Sequence, residues 1–246
     1  MSSKITITYF LIFFIIVIGN AQSLTGTNGL VKSPTARFFE DKTIVFGASF
    51  IPPGYFKRTY GFQQGRVTGN AGLNTFITLN FLPFAEIMFR YTHELNVKVT
   101  PISRYFPDRM LSLRLKLLNE AKFKPNLVLG LHDITGLISV KGTNPNFTSS
   151  YIVASKSVLN RNINLDLSIG YGFEQRGITP KEFNGLFGGV ELGYNKLPQI
   201  KFLMDYDSEN LNIGIRGLTF NRITTMINYY PKYSKIGYLL GYKYKL

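Results

Sequence analysis

Residues 163–174 read INLDLSIGYGFE, where apolar or aromatic residues alternate with polar residues or glycine. Successive side chains of a β-strand point to opposite faces, so this stretch predicts a strand with one apolar and one polar face. Residues 73–81, 85–94 and 111–117 alternate in the same way. The sequence therefore predicts an all-β fold.

The alternation continues to the last residue and predicts about 12 strands. They cover residues 42–51, 71–82, 85–95, 109–121, 124–135, 146–158, 163–174, 185–195, 199–208, 210–218, 223–231 and 235–246. Most match the roughly 9 to 11 residues that a tilted strand needs to cross a bilayer. Several connections at one end of the predicted strands are short, and others, on the opposite side, are long. This layout is typical of outer-membrane barrels. We expect one antiparallel transmembrane β-barrel over residues 42–246.

A soluble β-sandwich or a periplasmic barrel would also alternate. Here the apolar face is almost free of charge, whereas the polar face carries charges at successive positions, as in Arg114 with Lys116. The predicted strands are also longer, and the turns fewer, than the packing of two sheets in a sandwich would require. The last strand ends with the chain, so it is expected to pair with the first and remove both sheet edges.

The composition restricts the chemistry. Charged residues make up 17% of the 246 residues, below the roughly 25% of soluble domains. The absence of Cys excludes a disulfide framework and thiolate metal sites, and 2 His residues leave little for a histidine centre. We expect neither a metal nor a cofactor. The net charge of +14 suits nucleic acid, anionic lipid or an acidic polymer alike.

Residues 1–21 resemble an export signal. Lys4 precedes an apolar run over residues 5–18, and Gly19 and Ala21 stand at the small-residue positions of a cleavage site. A transmembrane anchor is the alternative, but the run is shorter than the ~20 residues a bilayer needs. We expect cleavage after Ala21 and an outer-membrane destination, where nucleic acid is not an expected partner.

Candidate catalytic groups are few. His132 and Asp133 are adjacent in a predicted strand and would point to opposite faces, so they do not form a dyad. No spacing of Ser, His and Asp singles out a nucleophile. We expect no catalytic residue, and a membrane-embedded hydrolase is the less favoured alternative.

Several short strings carry a family resemblance. Residues 26–37, GTNGLVKSPTAR, resemble the opening motif of the YjbH family of exopolysaccharide-associated outer-membrane proteins. Further strings match in the family's order: EIMFRYT at 86–92, PNLVLGLHD at 125–133, YIVASK at 151–156, FGGVE at 187–191 and DYD at 205–207. The chain resembles a compact member, and the resemblance implies a role in secretion or surface assembly of an exopolysaccharide or capsule.

The residues matching family positions define the expected site. We expect these residues to organise the lumen and to contact a passing polysaccharide or a partner. They are Glu86, Arg90, Lys116, Asp133, Lys156, Glu191 and Asp205. The N-terminal motif is marked by Gly29, Pro34 and Arg37, and residues 22–41 are expected to form a plug or turn at the periplasmic mouth. Asp133 shares its parity with three leucines, so facing inward would need a bulge near Gly130.

These expectations describe a non-enzymatic outer-membrane barrel in exopolysaccharide or capsule secretion or surface assembly. The alternative is a plugged structural barrel that scaffolds a surface secretion or assembly machine. The expected partners are outer-membrane lipid or lipopolysaccharide, exopolysaccharide and other polysaccharide-export proteins.

Overall fold

The computed structural model describes residues 22–55, 70–95, 108–134, 148–160, 162–173 and 182–246. The predicted signal peptide lies outside these ranges. The strands are β1 (Thr43–Ile51), β2 (Gly72–Leu82), β3 (Ala85–Glu94), β4 (Asp108–Leu118), β5 (Asn126–His132), β6 (Ser149–Leu159), β7 (Ile163–Phe173), β8 (Gly185–Tyr194), β9 (Leu197–Tyr206), β10 (Leu211–Thr219), β11 (Ile223–Tyr230) and β12 (Lys235–Lys245).

The strands form one closed antiparallel barrel in which each pairs with its sequence neighbours. The barrel closes where β1 pairs with β12, with Thr43 opposite Lys245 and Phe50 opposite Tyr238. The predicted 12-stranded barrel and the pairing of its last strand with its first are therefore confirmed. β5 is shorter than expected because it ends at His132.

The two faces of the wall differ as the alternation predicts. On β2, Asn74, Phe76 and Thr78 point into the lumen and are buried, whereas Thr75 between them is exposed. Large apolar side chains are exposed on the outer face, and these include Phe46, Ile87, Phe89, Ile169, Ile215, Ile227 and Leu240. The wall is thus apolar outside and largely polar inside.

The connections divide between the two ends of the barrel. The turns at 83–84, 119–125, 195–196 and 220–222 lie at one end, together with the start of β1 and the end of β12. We call this the short-turn end. The opposite end, where β1 ends and β12 begins, has the short turns at 207–210 and 231–234. We call it the long-loop end after the longer stretches of sequence that separate β1 from β2, β3 from β4, β5 from β6 and β7 from β8.

Lumen glycines make room for aromatic rings from neighbouring strands. A Cβ at Gly130 would lie 2.1 Å from the Tyr151 ring, and one at Gly170 would lie 2.3 Å from the Phe187 ring. Each glycine is the cross-strand partner of its aromatic residue. At these glycine positions, the aromatic ring of the neighbouring strand occupies the space that a side chain would need.

Within the described ranges, no helix is long and apolar enough to cross a membrane.

Candidate functional site

Residues 22–41, which we call the N-terminal segment, lie inside the barrel rather than only at its mouth. Leu24, Leu30 and Val31 are at most 1% exposed. They belong to one apolar cluster with lumen-facing side chains from the wall, namely Phe76, Met88, Met110, Leu203, Met226 and Leu239. The segment thus fills the lumen, deeper than the plug expected at the periplasmic mouth.

The wall satisfies the backbone carbonyls of the segment. Leu24 O accepts hydrogen bonds from Ser49 Oγ at 2.8 Å and Asn74 Nδ2 at 3.2 Å. Gly29 O accepts one from Arg216 Nη2 at 2.8 Å. An irregular segment can be buried only if its polar backbone is paired, so these wall side chains are what allow the chain to lie inside.

A buried ion pair holds the middle of the segment. Arg114 Nη1 donates to Glu86 Oε1 at 2.7 Å, and the side chains are 1% and 0% exposed. Arg114 also donates to Thr35 O, and to Arg37 O at 3.1 Å. One guanidinium therefore balances a lumen carboxylate and binds two carbonyls of the segment.

Two aspartates hold the segment near the long-loop end. Asp205 Oδ2 accepts the backbone amides of Lys32 at 2.8 Å and Ser33 at 2.7 Å. Asp207 Oδ2 lies 3.0 Å from Lys32 Nζ and accepts a hydrogen bond from the Tyr55 hydroxyl. Burial acts to raise the pKa of Asp207, but the Lys32 ammonium and these hydrogen bonds outweigh it and lower that pKa.

Arg37 binds the wall near the short-turn end. It donates to the carboxylates of Glu120 and Asp166 and to the Ser157 hydroxyl. The Arg37 side chain is 19% exposed and its two carboxylates are 21% and 22% exposed. This part of the anchorage therefore remains in contact with solvent.

A small polar cavity lies beside Arg37. Its volume is about 20 Å³, and its lining includes Gly29, Thr35, Asp166 and Glu191. That is enough room for about one water molecule.

Most of the predicted site residues do face the lumen. Glu86, Arg90 and Asp205 are at most 1% exposed. Glu191 Oε2 lies 3.4 Å from Arg216 Nη2, and its Oε1 lies 3.6 Å from Lys201 Nζ. Lys116 pairs with lumen-facing Val128, and its Nζ lies 4.8 Å from the centre of the Phe38 ring.

The N-terminal motif residues lie where the segment turns inside the lumen. Gly29 forms an isolated bridge with Pro34. A Cβ at Gly29 would lie 2.6 Å from Ser33 O, so only glycine fits this close approach. Arg37 follows the turn and makes the contacts with the wall given above.

The prediction that Lys156 lines the lumen is wrong. Tyr151, Val153 and Ser155 of β6 are buried inside, so Lys156 takes the opposite, outer face. Its Nζ reaches the short-turn end, where it lies 3.1 Å from Glu120 Oε1. The string YIVASK is apolar on both faces, so its alternation does not fix which face turns inward.

The bulge suggested near Gly130 is also wrong. β5 pairs with β6 without a register shift from Asn126 to His132. Asp133 follows the end of the strand with φ 55°, a left-handed conformation that breaks the alternation. Asp133 is buried and accepts a hydrogen bond from Thr148 Oγ1 at 3.2 Å.

Sequence reasoning missed a hydrogen-bonded row around His132. Ser112 Oγ lies 3.1 Å from His132 Nδ1, and His132 Nε2 lies 2.9 Å from Glu182 Oε2. Arg90 Nη2 lies 3.2 Å from the same Glu182 oxygen. The members come from β3, β4, β5 and the connection before β8, so no local spacing could reveal them.

The acidic member of this row is Glu182, and its pKa depends on burial and on neighbouring charges. Burial acts to raise the pKa of Glu182, but Arg90 and His132 outweigh it and hold that pKa well below its usual range. The Ser112 and His132 side chains are each 1% exposed. Within the described ranges, no group of three or more His, Cys, Asp or Glu side chains could hold a metal ion.

Comparison with known proteins identifies the family. The sequence model of the YjbH family, described as exopolysaccharide biosynthesis protein YbjH, matches residues 21–196. This range covers the N-terminal segment and β1 to β8, whereas Asp205 lies beyond it. No curated protein matches the chain. Because the match covers more than half of the sequence, the chain belongs to the YjbH family of exopolysaccharide biosynthesis proteins.

Proposed function

We propose that the protein is a sealed outer-membrane β-barrel that takes part in secretion or surface assembly of an exopolysaccharide without catalysing a reaction. The observation that carries the proposal is the N-terminal segment inside the lumen, bonded to the wall by Arg114, Asp205 and Arg37. The family supports the link to exopolysaccharide. The plugged barrel, which was the alternative drawn from the sequence, fits this geometry better than a barrel with an open lumen would.

The outer face of the barrel supports a membrane location. Large apolar side chains are exposed around the wall, and Phe89, Ile169, Ile215 and Leu240 are between 43% and 60% exposed. Soluble monomers rarely expose apolar surface on this scale. A closed barrel also leaves no strand edge to lipid, which is what a bilayer requires of β-structure.

The expected site residues that face the lumen take a different role in this proposal. Asp205 binds the N-terminal segment, and Glu86 binds Arg114, which in turn binds the segment. Neither residue lines an open aqueous path. The Glu86 carboxylate is paired with Arg114, and the Asp205 carboxylate accepts the backbone amides of Lys32 and Ser33. Both charges are thus compensated in a closed interior, where a charge without partners would be costly. Contact with a polysaccharide or an export partner is then expected at the ends of the barrel.

Planar-bilayer recording tests the seal. The mature protein should insert and give no steady conductance, because the segment occupies the lumen. A variant lacking residues 22–41 serves as the opened comparison if it folds, as judged by a heat-modifiable gel shift. A steady open channel formed by the intact protein would contradict the proposal without reference to the deletion.

Surface polysaccharide tests the role and the absence of catalysis. Deleting the protein should lower the amount of exopolysaccharide at the cell surface, and the intact protein should restore it. Ser112→Ala should restore it equally, because the Ser112 hydroxyl is buried and bonded to His132. Failure of a folded Ser112→Ala barrel to restore the polymer would favour the hydrolase alternative, with Ser112 as the nucleophile.

A further inference from the structure

The outer face of β9 to β11 contains an apolar recess of about 610 Å³. Its lining includes Ile200, Phe202, Ile215 and Ile227, with Gly217 and Thr225 between them. Gly217 pairs directly with Thr225, and a Cβ added at Gly217 would meet only Thr225 Oγ1 within 4 Å. The recess therefore exists because a glycine and a short side chain lie side by side among large apolar residues.

A cation lies beyond the end of this recess that Gly217 and Thr225 form. Arg222 lies in the turn between β10 and β11 and is exposed, and it forms no ion pair with any acidic residue of the described ranges. It precedes Thr225 by three positions, which corresponds to about 10 Å along a strand. Phe220 in the same turn is 68% exposed, as an aromatic residue at a membrane interface would be.

We propose that the recess and Arg222 bind one anionic phospholipid, with an acyl chain in the recess and the headgroup phosphate at the guanidinium. An apolar recess with an exposed cation beyond one end fits a ligand with an apolar tail and an anionic head. The volume lies within the roughly 300–1,000 Å³ of small-molecule sites. The inference rests on the proposed membrane location, since the acyl chain must come from a bilayer.

The absence of Trp provides a site-specific test. Phe202→Trp places a single fluorophore in the recess, and Phe89→Trp places one on β3, six strands away around the barrel. Both phenylalanines point outward and are 43% exposed, so the two positions are matched. Quenching is measured in vesicles containing brominated phosphatidylglycerol or brominated phosphatidylcholine.

At Phe202→Trp, brominated phosphatidylglycerol should displace phosphatidylcholine with about a fivefold preference, the effect of one cation on an anionic lipid. Phe89→Trp should show no preference. Adding Arg222→Gln should remove the preference at Phe202→Trp, whereas Lys122→Gln in the turn between β4 and β5 should leave it unchanged. Adding Gly217→Leu should reduce quenching at Phe202→Trp by either lipid, while Thr75→Leu on β2 should not.

Two outcomes would overturn the proposal, and they are distinguishable. Equal lipid preference at the two tryptophans would exclude the site and leave the membrane location intact. No quenching at either tryptophan would contradict the membrane location as well, because neither position would then face lipid.

Discussion

Two arginines, one in the barrel wall and one in the N-terminal segment, join the segment to the wall. Arg114 extends from β4 into the lumen, where it and Glu86 are almost fully buried. Arg37 extends from the segment to Glu120 and Asp166 near the short-turn end, and all three side chains are about one fifth exposed. The same residue type therefore makes a buried contact in one region and a solvent-screened contact in the other.

The difference indicates where the stability of the plug resides. Removing one partner from a buried pair leaves an uncompensated charge, whereas an exposed pair is screened by water and salt. The buried contacts near Arg114 and Asp205 should therefore fix the segment, and the contacts of Arg37 should matter less. The part of the N-terminal segment near the short-turn end should therefore be easier to release from the wall.

The largest effect is expected from Arg114→Met. The change leaves Glu86 buried without its cation and removes the donor to two segment carbonyls, so it should lower the free energy of unfolding by about 3–5 kcal/mol. Urea unfolding in detergent, followed by circular dichroism, measures this quantity.

A double variant, Arg114→Met with Glu86→Leu, is the matched control. It removes both charges and should recover much of the loss, because the buried carboxylate is no longer left alone. A cost below about 1 kcal/mol for Arg114→Met alone would show that the buried pair does not hold the plug.

Acidification should weaken the long-loop end by an intermediate amount. The pKa of Asp207 is lowered in the folded protein, so its carboxylate stabilises the fold above the unfolded value of about 4, and this contribution is lost as the pH falls below it. Wild type should exceed Asp207→Asn in unfolding free energy from about pH 7 to about pH 5. The difference should shrink below about pH 4.

Asp41→Asn provides the control for this experiment, because Asp41 is an exposed carboxylate outside the barrel wall. It should change the pH profile little. A difference between wild type and Asp207→Asn that grows as the pH falls below about 4 would contradict the assigned role of the Lys32–Asp207 pair.

The smallest effect is expected from Arg37→Met. Loss of its partly exposed ion pairs should cost about 1 kcal/mol of unfolding free energy, and less at high salt. Lys245→Gln, which breaks the exposed pair with Glu40, should cost no more than that. A loss from Arg37→Met as large as that from Arg114→Met would remove the distinction between the two regions.

Much of the wall could be predicted from alternation, because the polarity of neighbouring side chains in one strand is local information. The number and order of the strands and the lumen positions of Glu86, Arg90 and Asp205 follow from it. Lys156 could not be placed because apolar residues precede it on both faces of β6. Asp133 could not be placed because the strand ends one residue earlier, in a left-handed turn.

A closed barrel of alternating strands could be predicted from the residues alone, since the apolar and polar faces of each strand are encoded residue by residue. The place of the N-terminal segment inside the lumen, and the side chains that hold it there, became evident only from the folded barrel. The contact of Lys32 with Asp205 joins residues 173 positions apart, and the row at His132 joins three strands and a connection. Such contacts depend on how the closed wall brings distant strands together, which no local pattern records.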